Sequence, residues 1–145
     1  MAEKLFSTAD REAIIEAIRS AEVSTSGEIQ VHIESRCKGD VLNRAIVVFD
    51  TLKMHQTKDR NGVLFYLAVV DKRFAILGDK GINDVVADHF WENIKEHMAS
   101  LFKNGQFTQG LIDGIQMAGE QLGQHFPYQG DSDINELPDE ISFGS

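Results

Sequence analysis

The hydrophobic positions of this chain alternate between helical and strand spacing, and the longest unbroken apolar run falls near its middle. Residues 63–70, VLFYLAVV, are continuously apolar and rich in β-branched and aromatic side chains, the mark of a strand covered on both faces. Asp71, Lys72 and Arg73 interrupt the run, and Phe74, Ala75, Ile76 and Leu77 resume it. Two short apolar runs split by so few polar residues predict a β-hairpin. A hairpin returns its ends to one place, so Asp59, Arg60, Asn61 and Gly62 meet Gly78, Asp79, Lys80 and Gly81.

Upstream, Ser7, Thr8 and Asp10 carry the oxygen acceptors that start a helix. Ile14, Ile15 and Ile18, with Ala13, Ala17 and Ala21, mark one face of it at helical spacing as far as Val23. Ser24, Thr25, Ser26 and Gly27 are turn residues. Residues 28–35 then alternate, Ile29, Val31 and Ile33 against Glu28, Gln30, His32 and Glu34, which predicts a strand with one wetter face near the sheet edge. After a loop at Lys38, Gly39 and Asp40, residues 41–54 read as a helix burying Leu42, Ala45, Ile46, Phe49 and either Leu52 or Lys53. Strand, helix and strand in this order predict a right-handed crossover with the 28–35 and 63–70 strands parallel. The starts of those strands and the end of the third then share one rim of the sheet.

Downstream of Gly81 the spacing is helical through Ile82, Val85, Val86, Trp91, Ile94, Met98, Leu101 and Phe102, as one bent helix or two. Asn104 and Gly105 stop it. A further helix over 108–125 carries Leu111, Ile112, Ile115, Ala118 and Leu122, with Gly110, Gly114, Gly119 and Gly123 placed for close packing, here expected on the sheet. The glycine series resembles a membrane-dimer stripe, but Asp113, Gln116, Glu120 and Gln121 are too polar for lipid. The organisation expected is a domain over 1–126 followed by an acidic, extended tail over 127–145. That tail is docked, if at all, by Ile134, Leu137, Ile141 and Phe143.

With 145 residues and 42% hydrophobic composition, one domain can close a core without disulfides or metals. The net charge of -9 disfavours nucleic acid and anionic lipid and favours cations as partners. Cys37 is the single cysteine, read as a half-buried residue at a strand end, and no intrachain disulfide can form. No leader-like or membrane-length apolar run is evident, so the expectation is a soluble, cytoplasmic protein without membrane insertion.

The rim gathers Glu28, Asp59, Asn61, Asp79 and Asp84. Carboxylate and amide oxygens converging from separate loops suit a hard divalent cation, calcium or magnesium; Asp and Asn also favour such turns for local hydrogen bonding alone. Arg60 and Lys80 stand beside them, placed either to receive a phosphate or to pair with Asp59 and Asp79. The tail spacing Asp131, Asp133, Asn135 resembles a calcium loop, but Glu136 replaces its turn glycine and Ser142 its bidentate glutamate. His32, His55, His89, His97 and His125 lack zinc spacing. No nucleophile elbow, phosphate loop or dinucleotide fingerprint is present.

Taken together, several stretches resemble the TPM domain family, also called the TPM phosphatase or repair-domain family. They are Ser26-Gly27-Glu28-Ile29, Asn61-Gly62-Val63-Leu64, the Asp71-Lys72-Arg73 turn, Gly78-Asp79-Lys80-Gly81-Ile82, and the junction from Phe102-Lys103-Asn104-Gly105-Gln106-Phe107 into Gly110-Leu111. The resemblance implies a three-layer α/β/α sandwich around a short mixed β-sheet, divalent metal binding in some members, and a phosphatase label of disputed mechanism. It maps the family's acidic rim onto Glu28, Asp59 and Asp79. Many relatives work at membranes through a leader and a transmembrane helix, which this chain does not show. The functional expectation is a cation-binding domain with weak or no phosphatase activity. The alternatives are a non-enzymatic module whose tail or rim engages a protein partner, and a metal-assisted acid phosphatase.

Overall fold

A computed structural model describes residues 2–128 and 141–144. Helix α1 (Thr8–Glu22) begins at a capping box, in which the Ser7 hydroxyl accepts from the Asp10 amide and the Asp10 carboxylate accepts from the Ser7 amide. Ser7→Ala should remove about 1 kcal/mol of stability, read as a lowered urea midpoint. Strand β1 (Glu28–Glu34) leads to helix α2 (Val41–Thr51), which Asp40 caps through the Asn43 amide at 3.0 Å. The predicted helix over 41–54 is shorter here, because Lys53 turns left-handed and a 3-10 turn, Met54–Gln56, follows.

Strands β2 (Gly62–Ala68) and β3 (Arg73–Gly78) form the antiparallel hairpin, with Val63 opposite Gly78. Lys72 takes the left-handed conformation in its turn. The region after Gly81 is two helices, α3 (Lys80–Asn83) and α4 (Glu92–Lys103), followed by α5 (Phe107–Leu122).

The sheet runs β3-β2-β1-β4, where β4 is Ile141–Phe143 and both of its β1 pairings, to β2 and to β4, are parallel. Period-two alternation sends Ile29, Val31 and Ile33, with Val63, Phe65 and Leu67, to one core shared with α1, α4 and α5. Leu64, Tyr66 and Ala68 face a second core with Ala45, Val48 and Phe49 of α2. Helices flank the mixed sheet on both sides, the three-layer sandwich expected.

Four expectations change. Strand β1 is interior rather than near the edge, and all seven of its residues are buried, because β4 pairs with its outer edge and the Arg44 side chain of α2 reaches across to its polar face. On α2 the buried line is Ala45, Val48 and Phe49, while Leu42, Ile46 and Val47 are 47%, 44% and 52% exposed. The helix is rotated so that its small residue meets the sheet. The α5 glycines meet helices and not the sheet: a Cβ on Gly110 would strike Phe102 of α4, and one on Gly119 would stand 2.8 Å from Ala21 of α1. Cys37 is buried, lying against the second core. Ile141 and Phe143 pack on the main core. Ile134, Leu137 and the spacing Asp131, Asp133, Asn135 lie outside the described residues.

Candidate functional site at the sheet rim

The crossover and hairpin deliver three segments to one end of the sheet. Glu28 lies opposite Gly62, and its amide donates to the Asn61 carbonyl at 3.2 Å. From the other side, the Asp79 amide donates to the Gly62 carbonyl at 2.9 Å and the Gly81 amide to the Arg60 carbonyl at 2.8 Å. Residues 60–62 are therefore the spine of the rim. A Cβ built on Gly81 would stand 2.6 Å from the Arg60 carbonyl oxygen and closer still to that of Asp59, so only glycine lets the two loops approach this closely.

Asp79 is, like Glu28, a buried carboxylate of the rim. It caps α3 and accepts a two-pronged bond from Arg60, Nε to Oδ2 at 2.7 Å and a terminal guanidinium nitrogen to Oδ1 at 2.8 Å. Those bonds raise the Arg60 pKa above its ordinary value. Arg60 itself is exposed and left-handed, at φ 50°. Asn61 is buried and donates its side-chain amide to the Ser26 carbonyl at 3.2 Å. Asp59 and Asp84 are exposed, and Asp84 pairs with Lys80 at 2.7 Å across one helical turn. Glu28 is buried at the start of β1. Its backbone and that of Asp79 lie on either side of β2, roughly 10 Å apart at ordinary strand spacing.

Beside Asp79 opens a cleft of about 500 Å³, lined by Phe49, His55, Arg60, Lys80 and Asn83 among others. Among the described residues, no group of three or more His, Cys, Asp or Glu is arranged to hold a metal ion.

A second constellation, which the spacing of the sequence did not bring forward, lies on the polar face of β1. Glu34 accepts from Arg44 (Nε to Oε2 at 3.0 Å, with a second, shorter bond to Oε1), from the Tyr66 hydroxyl, and from His32 Nε2 at 3.0 Å. The His32 ring stacks on Tyr66 with centroids 5.9 Å apart, and its Nδ1 lies 2.8 Å from the Ser142 hydroxyl of β4. Burial alone would raise the Glu34 carboxyl, but the bonds from Arg44, Tyr66 and His32 outweigh it and hold the pKa at about 2. Burial lowers the His32 pKa against the opposing pull of Glu34, and burial, then Glu34 and Cys37, raises that of Tyr66. The available signal was His32 and Glu34 at i and i+2 on the polar face of the strand.

The TPM domain profile matches residues 2–121. The chain belongs to the TPM domain family. This TPM domain is similar to the BA42 protein of the psychrophilic bacterium Bizionia argentinensis, at 52% identity over 96% of this chain and 95% of that one, with a TM-score of 0.90. Two more distant structures share the fold. One is the N-terminal domain of a protein from P. gingivalis, at 20% identity over 86% of this chain and 80% of that one, TM-score 0.69. The other is the N-terminal domain of cg2496 from Corynebacterium glutamicum, at 14% identity over 94% and 79%, TM-score 0.62. The comparison with curated proteins gives no match. Among the described residues, no helix of this TPM domain is long and apolar enough to cross a membrane.

Proposed function

We propose that this TPM domain binds a divalent cation, calcium or magnesium, at the rim, with Asp79 as its anchoring carboxylate and phosphomonoester hydrolysis weak or absent. The observation that carries this reading is the buried Asp79 carboxylate, neutralised by a guanidinium that is itself exposed. An exposed arginine can swing into water, and the buried carboxylate it leaves then offers its charge to another cation.

The donors fit such an ion in kind. Asp79, Asp59, Glu28 and Asp84 offer carboxylate oxygens and Asn61 an amide, all hard ligands, and magnesium would keep several of its waters. When bound, the ion would polarise a phosphoryl oxygen or an attached water. Nothing identifies which of the rim carboxylates would act as the acid or the base that hydrolysis also requires, which is why turnover is placed low.

Titration with calcium and magnesium should move the amide resonances of Asn61, Asp79 and Lys80. Asp79→Ala should abolish that response, whereas Arg60→Ala, which removes the competing cation, should tighten it severalfold. Movement confined to other parts of the chain, or an Arg60→Ala protein that binds more weakly, overturns the reading. Metal-dependent turnover of a generic phosphomonoester that disappears in both Asp59→Ala and Asp79→Ala would instead favour the acid phosphatase. A non-enzymatic interaction module is favoured by the exposed apolar line Leu42, Ile46 and Val47 on α2.

A further inference from the structure

We propose that the outer edge of β1 is a binding groove for a short extended peptide of the pattern apolar, hydroxyl, aromatic, glycine, and that residues 141–144 occupy it as a tethered ligand. The groove belongs to the profile-matched region, residues 2–121, and the strand that fills it lies outside that region. Recognition follows the logic of strand addition, in which backbone bonds supply attachment and alternate side chains supply selectivity.

Each position of the ligand is read by something different. The backbone is held in parallel register, Val31 with Ile141 and Ile33 with Phe143, and is closed by the Gly144 amide donating to the Ile33 carbonyl at 2.8 Å. Ile141 and Phe143 turn to the main core. The Phe143 ring lies 6.5 Å from that of Phe6 and beneath the Arg11 guanidinium at 5.1 Å, so an aromatic residue gains a cation–π contact there. Ser142 turns the other way and meets His32 Nδ1. That histidine is 6% exposed, so a residue without a hydroxyl here would leave a buried ring nitrogen short of this bond.

Glycine is demanded at the last position. A Cβ on Gly144 would stand 2.5 Å from Glu34 Oε1. A flexible glutamate could move aside, but this one is only 3% exposed and is fixed by Arg44, Tyr66 and His32.

The ligand strand itself is short, three residues that each remain partly exposed. A contact of that size is weak as a free peptide and is sustained by its covalent attachment to the chain, which makes the pairing intramolecular. A peptide of the same pattern supplied in trans therefore competes poorly with the intact tail and well once that tail is disabled.

The test is a titration of the isotope-labelled full chain with the unlabelled peptide Asp-Glu-Ile-Ser-Phe-Gly-Ser, following the amides of Val31, His32 and Ile33. Gly144→Val in the full chain should keep its own tail out of the groove and lower the peptide concentration needed for half-saturation by at least about tenfold relative to the unmodified chain. Phe143→Asp should do the same without crowding Glu34, and retained hairpin resonances in either variant show that the sheet persists. A control peptide with valine in place of its glycine should move none of the three amides. The proposal fails if the glycine peptide leaves those amides unmoved in both variants, or moves them equally in variant and unmodified chains.

Discussion

Glu34→Ala is expected to lower the free energy of unfolding by about 2–3 kcal/mol, a large part of the marginal stability of a domain of this size. The carboxylate is the common acceptor for Arg44, Tyr66 and His32. Deleting it strands a buried hydroxyl and leaves Arg44 without its counter-charge. Urea unfolding at pH 7 measures the effect, and a loss below about 1 kcal/mol would mean that these bonds contribute no more than a surface pair does.

The same group gives stability a direction in pH. Glu34 is held at about 2, below its ordinary 4.5, so the unfolded chain takes up its proton first. Its contribution is complete above about pH 4.5 and is lost as pH falls toward 2. His32 is held below 6.5, so its contribution is complete above that value and declines on acidification. Both act in the same sense: the unfolding midpoint should fall in two stages as pH is lowered from 7. Glu34→Ala should remove the lower stage.

Gly81→Ala is expected to cost up to about 3 kcal/mol and to open the rim. The added methyl meets the carbonyl oxygens of Asp59 and Arg60, which are backbone atoms and can yield only by moving their loop. The bond from the Gly81 amide to Arg60 and the fork from Arg60 to Asp79 should open together. The expected signature is a lowered urea midpoint with resonance changes concentrated at Arg60, Asn61 and Asp79. Unchanged stability would show that the loops approach less closely than the structure places them.

Much of the architecture is written in local pattern. The continuous apolar run of β2 and the charged break before β3 define a hairpin, and the helix between β1 and β2 requires a crossover. Those two elements suffice to bring Glu28, Asn61 and Asp79 to one rim. The pattern could not supply the side-chain pairing there. The fork from Arg60 to Asp79 depends on a left-handed backbone at Arg60, which spacing does not announce.

Strand β1 misleads for a physical reason. Alternation predicts a wet face only where polar residues lack partners inside the protein, and here Gln30, His32 and Glu34 are buried. Arg44 comes from α2, Tyr66 from β2 and Ser142 from β4, three separate elements brought together only by folding. Helix α2 misleads through the opposite error, since its larger residues Leu42 and Ile46 face outward while Ala45 permits close approach to the sheet.

The parallel pairing of β1 with β4 also bears on the order of events during synthesis. Ile141 follows Glu34 by about a hundred residues, so at a translation rate of roughly 5–20 residues per second the first strand waits roughly 5–20 s for its outer neighbour. Throughout that interval a nascent chain presents an open β edge beside a histidine and a glutamate, a template on which another strand could pair.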